Sequence, residues 1–218
     1  GNFGFYGATP TPEHVFVLIN SATDNGRTGS GGWASYHRPA ANGGRGDCAI
    51  TTDLTNAFLA EPGDKRYTDL SNLVTAADGQ RRQMTTKYND AVTNTDLSPI
   101  MRTSEIYLTR AEALAEINGV NQESITLVNA IRSRAGLPAW TTSTFSTKEE
   151  LIQGILTERR KELCFEGHRR MDLLRRGQPL RRTGITAAAA AFGQPKTILP
   201  IPQREIDLNP NLTQNAGY

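Results

Sequence analysis

Between Glu158 and Arg182 the chain places eight arginines and one lysine against four acids, interleaved with Leu163, Phe165, Leu173 and Leu174. So dense a mixture of charge and apolar residues constrains the fold, because any of these charges that becomes buried must find a partner. Glu166 with Arg170 and Asp172 with Arg176 stand four apart, and Arg159 with Glu162 three apart, spacings that bring side chains together on a helix. The segment therefore reads as an ion-pair network across helices. A basic stripe for nucleic acid is the competing reading. It is disfavoured by the interspersed acids, by the scarcity of aromatics for base stacking, and by a net charge of only +2 despite a pI of 8.6.

Upstream, the pattern turns helical from Ser104. Leu108, Ala111 and Ala115 share one helix face, with alanines that allow close approach of a neighbour, and Asn118-Gly119 supplies the stop. Ile125, Val128 and Ile131 give a second stripe, closed by Gly136 and Pro138, so the two segments predict an αα-hairpin. Its length of about 32 residues lies near the tetratricopeptide period of 34, although a single pair makes no array. Thr147 with Glu150 has capping-box spacing, and Leu151, Ile152, Ile155 and Leu156 predict a third helix running into the charged segment. Residues 1–103 read as a loop-rich region containing a strand at Val15–Ile19, a short helix at Thr52–Phe58 and a turn at Glu61–Arg66. Residues 104–218 read as a helical region. It ends in a helical turn at Ala187–Ala191 and an extended strap over the helices, because the prolines of Leu199–Gln203 and Asn209–Asn211 push their predecessors out of the α region.

With 37% hydrophobic residues the chain can bury a core, and no apolar run reaches the ~18 residues that span a bilayer. Cys48 and Cys164 are too few for a disulfide scaffold; Cys164 reads as a buried thiol in a helix and Cys48 as the more exposed of the two. His14, His37 and His168 lack ligand spacing, so no metal or cofactor is expected. No local motif selects a pair of catalytic carboxylates or a nucleophilic serine on an elbow, and the chain does not read as an enzyme.

The run Glu158-Arg159-Arg160-Lys161-Glu162-Leu163-Cys164-Phe165-Glu166-Gly167, continued by Arg169, Asp172-Leu173 and Gly177, resembles the signature of the SusD/RagB-like outer-membrane nutrient-binding proteins. Further matches follow in that family's order: Ile106–Leu114 with Asn129–Gly136, then Leu199–Pro202, Glu205-Ile206, Asn209-Pro210 and Gln214–Tyr218, while Asp64-Lys65-Arg66 resembles its D-x-R element. The resemblance implies a mainly α fold, with tetratricopeptide-type helix pairs supporting an irregular ligand-binding region. It also implies a lipid-anchored protein on the outer face of the outer membrane, over a SusC-like TonB-dependent transporter. Such a protein captures oligosaccharides, or peptides in the RagB branch, without changing them. Full members are about twice as long and begin with a signal peptide and an acylated cysteine, so the chain resembles their C-terminal part. The signature residues Glu158, Arg159, Glu162, Glu166, Arg169 and Asp172 are expected to be framework.

Ligand chemistry is most plausible in the glycine-rich loop from Asp24 to Arg38. A sugar offers a weakly apolar face and a rim of hydroxyls, so its site wants an aromatic plate beside amides, carboxylates and guanidinium groups. Trp33 and Tyr36 are the candidate plates, and Asp24, Asn25, Arg27 and Arg38 the candidate polar groups. Trp33 reads equally as an anchor holding a long loop to the body. A helical-repeat module that binds a protein partner is the alternative function.

Overall fold

Small side chains decide how the helices meet. Helix α4 (Thr103–Asn118) turns Leu108, Ala111 and Ala115 towards α5 (Gln122–Arg134) and α6 (Lys148–Glu162), where Ile125, Val128, Ile131, Leu151, Ile152 and Ile155 complete a fully buried cluster. Because alanine adds no bulk, the backbones come close enough for Ser124 Oγ to donate to the Ala111 carbonyl at 2.7 Å. The predicted stops are in place: Gly119 ends α4 at φ 66° and Gly136 follows α5 at φ 75°, both in the left-handed region. Thr147 and Glu150 form the reciprocal capping box that starts α6.

The computed structural model describes residues 3–25, 32–40, 43–76, 78–180 and 186–218. The chain divides into two units, Gly1–Glu166 and Gly167–Tyr218. In the first, β1 (His14–Leu18) pairs antiparallel with β4 (Ser98–Arg102), which feeds directly into α4. Between them lie α1 (Trp33–His37), α2 (Thr52–Leu59), α3 (Lys65–Thr68) and an antiparallel hairpin of β2 (Ser71–Thr75) and β3 (Arg81–Thr85). Neither α1 nor this hairpin is anticipated above. The hairpin had a readable signal in Asp78-Gly79, a dipeptide suited to tight turns, with Gly79 at φ 77°. A second cluster, Phe5, Tyr6, Ala34, Leu70, Tyr88 and Ala91, packs with Phe165 beneath α1.

In the second unit, α7 (Arg169–Arg175) precedes turns over residues 187–190 and a short helix, α8 (Gln203–Leu208), where extended chain is expected only up to Gln203. The closing motifs bind one another. Gln214 brackets Ile201 by accepting from its N–H and donating to its carbonyl, both at 2.9 Å, and Asn215 donates to Leu199.

The charged segment departs from its local reading. Helix α6 stops at Glu162 and the chain turns through Leu163–Gly167, so Glu166 is not on a helix with Arg170. Glu166 instead accepts from Arg102 Nε at 2.7 Å and Lys87 Nζ at 2.8 Å, while Arg170 donates to the Thr197 carbonyl. Arg159 reaches Glu105, and Asp172 pairs with Arg175 three residues on. Cys164 lies in the same turn, half-buried like Cys48, and both thiols are free.

Candidate functional site

Two buried lobes of charge anchor the first unit. Glu158 receives Arg66 at 2.9 Å and Arg132 at 2.7 Å, and Asp64 holds the same Arg66 through both carboxylate oxygens at 2.8 and 2.7 Å. Glu61 closes this lobe with Arg132 at 2.6 Å and Lys161 at 2.5 Å. In the other lobe Arg102 binds Glu162, Glu166 and Glu13, and Lys87 places its ammonium on Glu166 and the carbonyls of Glu162 and Cys164. Burial alone would raise the carboxyls of Glu61 and Glu166, but their cations prevail and hold each down at about 2. The expected network exists, with its partners drawn from distant parts of the chain. Glu61 and Glu166 are thereby locked as ionised structural groups.

The network ends at Phe165, which sits in the left-handed region at φ 65° although it is not glycine. Its carbonyl accepts from the Tyr88 hydroxyl at 3.3 Å, and its ring meets His37 edge-on at 5.2 Å. The Tyr88 and Trp33 rings meet at 87° with centroids 5.8 Å apart. His37 Nδ1 lies 2.8 Å from the Trp33 carbonyl, and burial lowers the pKa of this imidazole. Helix α1 itself starts after the extended Gly32 and ends where Arg38 precedes Pro39. Trp33 is therefore held at its edge and base, while 43% of its surface faces solvent.

Beside Trp33 lies a cavity of about 40 Å³, lined also by Asn20, Asn94, Asp96 and Ser98. Asn20 ties this wall together by donating to the Asp96 carbonyl at 2.6 Å and more weakly to Ser98 Oγ at 3.4 Å. Asp96 Oδ2 accepts the backbone N–H groups of Asn89 and Asp90 at 2.5 and 2.6 Å, shaping the 89–96 turn. Burial raises the Asp96 carboxyl pKa, those N–H groups oppose the shift, Asp90 adds to it and Arg38 lowers it. Asn94, at φ 52°, is 5% exposed, and neither polar atom of its amide has a protein partner.

The other candidates separate around α1. Tyr36 is half-buried beneath the Arg45 guanidinium, 4.7 Å from its ring centroid, and Arg45 in turn lines a larger cavity of about 230 Å³ with Arg82, Asp78 and Met84. Asn25 spends its amide on the carbonyls of Ser21 and Thr93, fastening a turn in which Asp24 is exposed. Arg38 is half-buried and reaches Asp96 only through its charge. Arg27 lies outside the described residues. Asn20, Tyr88, Asn94 and Asp96 were missed by sequence reasoning. The polar run Asn89–Asp96, rich in Asn, Asp and Thr, was the available sign of a structured turn there.

Residues 79–218 match the sequence model of the SusD family. The chain belongs to the SusD family. It is 33% identical to a SusD-like protein, P38, from Formosa agariphila over 75% of this chain and 33% of that one. It is 32% identical to the starch-binding protein SusD of Bacteroides thetaiotaomicron over 57% of this chain and 22% of that one. A crystal structure of a SusD superfamily protein from the same Bacteroides species matches with a TM-score of 0.76 at 27% identity, covering 98% of this chain and 50% of that one. The chain thus spans at most a third of the length of these curated relatives. It has the helix-rich SusD fold, and among the described residues no helix is long and apolar enough to cross a membrane.

Proposed function

We propose that this chain supplies the glycan-binding surface of a SusD-like protein. That protein captures oligosaccharides at the outer face of the outer membrane and passes them unchanged to a SusC-like TonB-dependent transporter, itself held to the membrane by a lipid anchor. The observation that carries this reading is the exposed Trp33 ring, fixed by Tyr88 and His37 beside a cavity lined with amides and a hydroxyl, in a chain of this family. An indole held still loses little freedom when a sugar face stacks on it, and amides suit a hydroxyl rim. The starch-binding relative supports a carbohydrate ligand. Tyr36, Asp24, Asn25, Arg27 and Arg38 remain proposed outer contacts for a longer chain. A non-catalytic role agrees with Glu162 and Glu166, whose cationic partners hold their carboxyls low and leave them unsuited to donating a proton.

Calorimetric titration with neutral and charged oligosaccharides, maltoheptaose first, tests this. Trp33→Ala should weaken binding of the preferred sugar at least tenfold, and an unchanged affinity would overturn the site. One observation favours a protein or peptide partner instead. Phe16, Leu18, Ile19, Ile100, Ile106 and Ile117 on and around β1, β4 and α4 each expose over 40% of their surface, apolar side chains that a polypeptide partner would cover. A peptide interaction indifferent to Trp33 but lost on changing Phe16 and Ile106 to Ser would promote that reading.

A further inference from the structure

The cavity beside Trp33 has a charge character of its own. Its lining includes Trp33, Asn20, Asn94, Ser98 and Asp96, with no lysine or arginine among the described lining residues. Asp96 already sits near a second carboxylate, Asp90, which is wrapped by Thr93 and Thr95. Arg38 acts on Asp96 from outside the lining. Further negative charge brought here meets the half-buried Asp96 carboxylate, where repulsion is stronger than in bulk solvent. A hydroxyl, by contrast, can donate to that carboxylate.

Asn94 points the same way by a separate argument. It is 95% buried by its 5% exposure, and both its amide nitrogen and its amide oxygen lack a protein partner. Native proteins rarely leave such a group unpaired. One donor and one acceptor together complement a pair of hydroxyls, each of which both gives and accepts. A carboxylate or sulfate, which only accepts, would set oxygen against the amide oxygen. The volume of about 40 Å³ admits about three water-sized groups, which fits the edge of one sugar ring and not a whole residue.

We propose that the Trp33 cavity takes the hydroxyl-bearing edge of an uncharged sugar and rejects uronate and sulfated sugars, with Asp96 setting that selectivity and Asn94 pairing with the hydroxyls. This rests on Trp33 being the sugar plate. The amide atoms of Asn94 are shielded from solvent, so a rotation of its side chain accompanies binding.

The test uses the chain with maltoheptaose, cellohexaose and mannohexaose as neutral ligands, and pentagalacturonate and a sulfated carrageenan oligosaccharide as anionic ones. Wild type should bind at least one neutral ligand tenfold or more tighter than either anionic ligand. Asp96→Asn keeps an oxygen for the Asn89 and Asp90 N–H groups and should narrow that ratio at least fivefold by improving anionic binding. Asn94→Gly, which suits the positive φ, should weaken the neutral ligand about tenfold. A readout free of folding effects is salt: raising NaCl from about 50 to 500 mM should strengthen anionic binding by screening repulsion and leave neutral binding unchanged. Anionic ligands binding as well as neutral ones, or an unchanged ratio in Asp96→Asn, would overturn the proposal while Trp33→Ala still weakens binding. If Trp33→Ala changes nothing, or no ligand binds, the glycan reading itself falls and takes this inference with it.

Discussion

Replacing Glu158 by Gln would test the buried charge network at the acid where three cations of one lobe converge. The carboxylate is 1% exposed and holds Arg66 at 2.9 Å, Arg132 at 2.7 Å and Lys161 at 3.3 Å. Gln has the same shape, but its NH₂ group would face a guanidinium, and the lobe would carry one positive charge too many. Asp64 and Glu61 would remain as partners for Arg66, Arg132 and Lys161, which are themselves buried. Removing one member of a buried pair costs about 3–5 kcal/mol, because the charge left behind stays desolvated. With a urea dependence of about 2 kcal/mol/M, a loss of about 4 kcal/mol lowers the unfolding midpoint by about 2 M. The control is Glu123→Gln, which breaks a pair with Arg110 whose side chains are 61% and 55% exposed, and it should move the midpoint by under about 0.5 M. Urea titration followed by circular dichroism at 222 nm reads both. A shift for Glu158→Gln no larger than the control's would refute the idea that this signature acid holds the fold.

Acid should weaken the same network over a defined range. Glu61 and Glu166 are depressed to about 2 in the folded state, so their contribution is complete above the ordinary carboxylate value near 4.5 and is lost as pH falls from there towards 2; urea midpoints that stay constant between pH 5 and pH 2.5 would contradict this. Tyr88→Phe removes the hydroxyl that ties the ring packed against Trp33 to the Phe165 carbonyl. Losing a bond worth about 1 kcal/mol should weaken sugar binding about fivefold and shift Trp33 emission, measured in a Trp140→Phe background, and unchanged emission would rule out this mount.

What could be read in the sequence was what neighbours along the chain decide. The capping box of Thr147 and Glu150, the alanine face of α4 and the stops at Gly119 and Gly136 each depend on residues within a few positions, and each is found as expected. The charged segment shows the boundary. Its density announced an ion-pair network, but spacing alone assigned Glu166 to Arg170, whereas the turn after Glu162 swings Glu166 onto Lys87 and Arg102. No periodicity encodes a partner more than 60 residues away. Trp33 and Tyr36 illustrate the same limit within one short helix. Both looked like plates, yet Tyr36 lies under Arg45 while Trp33 stays open, a difference set by chain from residue 45 and by Tyr88.

That dependence on distant residues bears on function. Tyr88 follows Lys87, whose ammonium is fixed by Glu166 and by the carbonyls of Glu162 and Cys164, and the Tyr88 hydroxyl binds Phe165 in the same turn. The turn in the middle of the signature thus fixes both ends of the Lys87-Tyr88 step on which Trp33 leans. A left-handed Phe165 costs of order 1–3 kcal/mol and persists only where its surroundings over-determine it, and here a buried carboxylate and two rings do so. The signature acids need not touch a ligand to matter for the proposed site: Glu162 and Glu166 hold still the turn on which Trp33 is mounted.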